Sequence, residues 1–179
     1  APNPSTGGER GRLVFALDAT ASRQPTWDVA SHVQSEMFLE ADRIGGLDVQ
    51  LVFYRGFGEC RASAWVSSPA DLVRLMGKVS CLAGKTQIHR VLTHTLNETK
   101  KKRVQALIFV GDALEESIDE LGEVAGQLGL QGVRVFLFHE GRDRTARMGF
   151  EQIAKLTKGA CVRFDARAPD ELRQLLRAV

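Results

Sequence analysis

Short, nearly continuous apolar runs recur at Leu13 to Leu17, Val49 to Tyr54, Val104 to Val110, Val133 to Phe138 and Cys161 to Phe164. Runs of this length without polar alternation predict strands buried on both faces, as in a parallel sheet. Helical spacing falls between them. Val29, Val33, Met37 and Ala41 follow Pro25 and Thr26, with Asp28 placed to favour a helix N-terminus, and Ile88, Val91, Leu92 and Thr95 keep the i, i+3, i+4, i+7 pattern. Ser117-Ile118-Asp119-Glu120 has the form of a capping box, opening a helix whose inner face is Ile118, Leu121, Val124, Ala125 and Leu128. Ser68-Pro69 and Pro169 mark two further helix starts, the second leading into Leu172, Leu175, Leu176 and Val179.

Strands alternating with helices predict right-handed crossovers, and hence an α/β fold: a doubly wound, mostly parallel sheet of about six strands with helices on both faces. One segment breaks the alternation. Arg55 to Glu59 is too short for a crossover helix, so Cys60 to Val66 is expected as an antiparallel strand at the sheet edge. The tip of that hairpin is expected to be flexible and remote from the other loops, with Phe57 tucked in. Residues 1–11, rich in Pro, Gly, Ser and charge, are read as a flexible arm, and 12–179 as a single domain.

Composition narrows the function classes mainly by exclusion. Among 179 residues, 24 Lys and Arg balance 22 Asp and Glu, and a net charge of +2 argues against a nucleic-acid or polybasic membrane binder. The run Lys100-Lys101-Lys102-Arg103 follows a helix, where cations favour the C-terminus. Cys60, Cys81 and Cys161 lack CxxC spacing and are expected to be reduced, mostly buried thiols. With no apolar stretch long enough to span a bilayer, the chain reads as cytoplasmic.

In open α/β sheets ligands bind beyond the carboxyl ends of the strands, where strand order reverses. The first apolar run is followed by Asp18-Ala19-Thr20-Ala21-Ser22 and the third by Gly111-Asp112, while Thr86 lies at a helix start in Gly84-Lys85-Thr86-Gln87-Ile88. Two carboxylates and three hydroxyls make an all-oxygen set suited to Mg²⁺, Mn²⁺ or Ca²⁺ and poorly suited to zinc. With only two full negative charges, such a set leaves room for an anionic ligand on the metal.

These residues resemble the von Willebrand factor A domain and its metal-ion-dependent adhesion site, whose pattern is Asp-x-Ser-x-Ser, then Thr, then Asp. Thr20 stands where the first Ser is usual, which keeps the hydroxyl and stiffens the side chain. The resemblance runs from about Leu13 to Val179. It implies a Rossmann-like fold, direct ligation by Thr20, Ser22 and Thr86, largely water-mediated roles for Asp18 and Asp112, and a partner protein whose Asp or Glu completes the shell. It also implies a non-enzymatic binding domain; intracellular bacterial members often work beside ATPases or in larger complexes.

Other readings of the same residues are weaker. A structural one has Asp18 and Asp112 capping strand-end loops and Thr86 capping a helix. A phosphate-binding loop ending in Gly84-Lys85-Thr86 would need Gly where Val79 stands. Asp18 could serve as the nucleophile of a metal-dependent phosphoryl-transfer enzyme, as in haloacid-dehalogenase-like phosphatases, but Thr20 occupies the place of their general acid. His89 and His94 are five apart, not the i, i+4 of a helical metal pair. His139, closing a strand, and Glu116 are candidate partner contacts, while Glu115 and Glu116 are also expected to favour the dipole of the helix that Ser117 opens.

Overall fold

The computed structural model describes residues 10–178. Six strands, β1 (Gly11–Asp18), β2 (Leu47–Arg55), β3 (Glu59–Ala62), β4 (Ala106–Gly111), β5 (Arg134–His139) and β6 (Ala160–Arg163), form one sheet in the order β3-β2-β1-β4-β5-β6. All neighbouring pairs are parallel except β2 with β3. β1 is central and buried on both faces, which is what its uninterrupted apolar run demands.

Alternate residues of β1 feed two cores. Leu13, Phe15 and Leu17 pack with α1 (Trp27–Ile44), α2 (Pro69–Met76) and α6 (Ala168–Arg177) on one face. Val14 and Ala16 pack on the other with α3 (Ile88–Lys101), α4 (Ile118–Leu130) and α5 (Arg144–Thr157). The chain winds outward from β1 through β2 to β3, then returns to β4 on β1's other side, so the reversal point lies between β1 and β4.

Several details depart from the periodicity. β1 already includes Gly11, at the end of the expected arm; residues 1–9 of that arm, like Val179, lie outside the described residues. Val29 is 70% exposed, and the inner face of α1 is Ala30, Val33, Met37, Phe38 and Ala41. A strict four-residue spacing drifts by about 40° per step on a helix of 3.6 residues per turn, so Val29 rotates off the face that Met37 and Ala41 define. The edge strand ends at Ala62 rather than Val66. Ser63 pairs with Leu51 in its place, and Val66 rejoins β2 only through an isolated bridge to Val49. Helix α5, absent from the reading above, is capped by Asp143, whose side chain accepts from the Ala146 N–H, and buries Ala146, Phe150, Ile153 and Ala154. The three cysteines are unpaired but half-buried rather than buried. Among the described residues no helix is long and apolar enough to cross a membrane.

Candidate functional site

β1 and β4 pair through Leu17 and Val110, so their carboxyl ends deliver Asp18 and Asp112 side by side at the reversal point. Gly111 permits the close approach: a Cβ there would lie 2.7 Å from the Phe109 ring and 3.3 Å from the Asp18 Cβ. Asp18 is fully buried. Its Oδ1 accepts from the Thr20 N–H at 2.8 Å and from the Thr20 hydroxyl at 2.5 Å, and its Oδ2 accepts from the Tyr54 hydroxyl at 3.0 Å. Burial pushes the Asp18 carboxyl up from 3.8 to about 6, with the Asp112 charge adding to the rise and the Thr20 bonds opposing it. Burial likewise raises the Tyr54 phenol well above its usual value, so it remains a donor to Asp18.

Thr20 and Ser22 follow on the loop and the 3₁₀ turn Ala21–Thr26, their hydroxyls 3.3 Å apart. Arg23, next along, is fully buried. It donates to the Asp18 carbonyl at 2.7 Å and to Gln34, and pairs with Glu140 at 2.8 Å.

Thr86 lies two residues before α3, where Gln87 holds the cap position without a side-chain cap. The Thr86 N–H donates to Glu115, its hydroxyl donates to Glu116 at 2.6 Å and accepts from the Glu115 N–H at 2.9 Å, and the other Glu116 oxygen accepts from the His89 N–H. Glu115 and Glu116 therefore serve the N-terminus of α3, reached across space, and not only that of the helix next to them in sequence. That Glu116 is engaged with Thr86 was not visible in the spacing.

The three loops are stitched by backbone bonds. Leu82 N–H donates to the Ala19 carbonyl, Gly56 N–H to the Leu82 carbonyl, and Lys85 N–H to the Gly56 carbonyl. The hairpin tip thus lies against the segment carrying Thr86, contrary to the expectation that it is remote. The contact needs two glycines. Gly56 has φ +63°, and a Cβ on Gly84 would lie 1.8 Å from the Gly56 carbonyl oxygen. Phe57, expected to be tucked in, is 77% exposed, with Leu82 also exposed.

The structure therefore brings Asp18, Thr20, Ser22 and Asp112 together, and joins Thr86 to them through the loops. Among the described residues Thr86 makes no hydrogen bond to the other four. His139 is buried in a T-shaped contact with the Phe150 ring, and among the described residues its Nε2 has no hydrogen-bond partner. His94 is half-buried beside Gln50 and His89 is exposed. Among the described residues no three His, Cys, Asp or Glu side chains are grouped as a metal site, so a cation here would depend on hydroxyl oxygens.

The donor chemistry suits such a cation. The Thr20 and Thr86 hydroxyls donate to carboxylates, so an oxygen lone pair remains to ligate on each, although the Thr86 oxygen also accepts from the Glu115 N–H. Among the described residues Asp112 Oδ1 is buried without a hydrogen-bond partner, which is costly for a carboxylate unless a cation, a water or a polar group meets it.

Solved structures match most of the chain. A von Willebrand factor type A structure from Catenulispora acidiphila superposes with a TM-score of 0.72 at 16% identity, covering 93% of this chain and 42% of that one. Proximal thread matrix protein 1 of the mussel byssus, with a zinc-occupied adhesion-site motif, gives 0.74 at 16% identity, covering 93% and 46%. The SpRpn10 von Willebrand factor A domain gives 0.68 at 11% identity, covering 95% of each chain. The chain thus spans less than half the length of the first two and nearly all of the third. No family model and no curated protein matches the sequence. The fold is that of von Willebrand factor A domains, a Rossmann-like α/β arrangement.

Proposed function

We propose that the chain is a protein-interaction module of the von Willebrand factor A type that binds its partner through a divalent cation, Mg²⁺ first and Mn²⁺ or Ca²⁺ as substitutes. The observation that carries the reading is the buried Asp112 Oδ1, without a hydrogen-bond partner among the described residues, beside the fully buried Asp18. Thr20, Ser22 and Thr86 would supply neutral oxygens, and Asp18 and Asp112 the negative charge. A bound cation would supply an electrophilic position for an Asp or Glu of the partner. Exposed Phe57 and Leu82, on loops bonded to this cluster, would meet the partner around that contact. The zinc-occupied motif in the mussel protein supports metal binding on this fold.

Asp18 is a poor nucleophile candidate, because it is fully buried and both of its oxygens accept hydrogen bonds. That favours binding over phosphoryl transfer, as does the lack of an acid at Thr20's position. A second reading, a metal-free interaction module, draws on Thr86, whose hydroxyl already has two partners within the chain.

Thermal melts in EDTA, Mg²⁺ and Mn²⁺ test the metal reading. Either cation should raise the melting temperature of the wild type and leave Asp18→Ala unmoved. An unmoved wild type, or an equal rise in the variant, rejects it; in the first case the metal-free reading stands. Metal-dependent hydrolysis of a generic phosphate ester, lost in Asp18→Asn, would instead establish the enzyme.

A further inference from the structure

Beyond His139, the carboxyl end of the sheet opens into a cavity of about 630 Å³. That falls within the roughly 300–1,000 Å³ typical of small-molecule sites. Its walls carry four arginines: Arg142 from the loop after β5, Arg144 and Arg147 from the first turns of α5, and Arg163 from the end of β6. Among the described residues only Arg147 has an ion-pair partner, the lining residue Glu151 at 3.3 Å. Asp143, beside them in sequence, spends one oxygen on capping α5. Arg142, Arg144 and Arg163 therefore line one concave space without an ion-pair partner among the described residues.

His139 forms part of the same wall, buried and with Nε2 lacking a hydrogen-bond partner. That nitrogen is closed off from solvent, so His139 shapes the wall while the arginines supply the charge. Cys161 also lines the cavity, but burial pushes its thiol up to about 11, which keeps it protonated and unreactive. The cavity is thus equipped to hold a ligand rather than to attack one.

The geometry points to a binding site for a small phosphate-bearing molecule, gripped by Arg142, Arg144 and Arg163 with His139 at the wall. Guanidinium forks match the paired oxygens of a phosphate, and a multiply charged anion can engage three of them where a single carboxylate would leave two unmatched. The near-neutral net charge of +2 argues against a nucleic-acid backbone as the ligand. This site needs no cation at Asp18 and Asp112 and stands apart from the metal reading.

Calorimetric titration of the whole chain with inorganic pyrophosphate in EDTA tests it. Saturable binding is expected, tighter than for orthophosphate, and weakened about tenfold or more in Arg142→Ala/Arg144→Ala/Arg163→Ala. Those three side chains are exposed, so the variant should fold, as circular dichroism would verify. Lys100→Ala/Lys102→Ala/Arg103→Ala removes as much charge from the opposite end of the sheet and should bind like wild type. Asp112→Ala should also bind pyrophosphate as wild type does. Absence of saturable binding, equal weakening in both triple variants, or tighter binding of a phosphoserine peptide than of pyrophosphate would overturn the assignment.

Discussion

Two neighbouring regions at the carboxyl end of the sheet handle charge in opposite ways. At β1 and β4, Asp18 is fully buried and Asp112 keeps an oxygen out of both water and hydrogen bonding. At β5 and β6, the four arginines are exposed around an open cavity. Between the two runs the ion pair of fully buried Arg23 and partly exposed Glu140. Water solvates the arginines at little cost until an anion arrives. It cannot do so for Asp18, whose raised pKa records the strain. The carboxylate cleft is therefore held in tension, and a cation would relieve it, whereas the arginine cavity is at rest when empty.

The contrast can be broken most severely at Arg23. Removing it takes the ion-pair partner from Glu140, which keeps the Thr26 hydroxyl, and leaves the Asp18 carbonyl and Gln34 without their donor, so Arg23→Ala should cost about 3 kcal/mol in urea unfolding. Exposed Arg142→Ala should stay within about 0.5 kcal/mol. Comparable losses at the two positions would erase the distinction between strained and relaxed charge.

Asp18 gives a smaller effect of opposite sign. A folded pKa above the unfolded one favours the fold at low pH: the contribution is complete below about 3.8 and is lost as pH rises through about 6. In EDTA the wild type should therefore lose stability between pH 4 and 7, by at most about 3 kcal/mol from this group. Asp18→Asn should flatten that slope and be more stable at pH 7 by about 1 kcal/mol, since Asn keeps some but not all of the bonds to Thr20 and Tyr54. Saturating Mg²⁺ should reverse the ranking. A wild type insensitive to pH over this range would show that Asp18 is not strained. At the small end, Phe57→Ala should change stability by under about 0.5 kcal/mol, yet weaken capture of the protein partner once one is in hand.

What could be read from the chain alone follows the same division between local and distant causes. Asp18 and Asp112 were legible because apolar runs locate strand ends and the reversal rule selects among them. Ser117 was legible as a cap because its partner, the Glu120 N–H, is three residues away. Tyr54 was hidden: it reads as one more strand residue until the register sets it beside Asp18. Arg23 was hidden because arginines are rarely buried, and its partner Glu140 is 117 positions along the chain. The hairpin tip was misplaced because its anchors, Leu82 and Lys85, come from a segment with no periodicity of its own. Thr86 was legible as lying at a helix start, but its bonds to Glu115 and Glu116 depend on how its loop meets the one after β4.

The most direct test of a strained, cation-seeking cleft is a Mn²⁺ titration followed by electron paramagnetic resonance at neutral pH, with wild type and Asp112→Ala compared. One saturable site in the wild type, lost in the variant while the variant remains folded, is the predicted result. Free Mn²⁺ signal throughout the wild-type titration, or equal binding by both proteins, would contradict it.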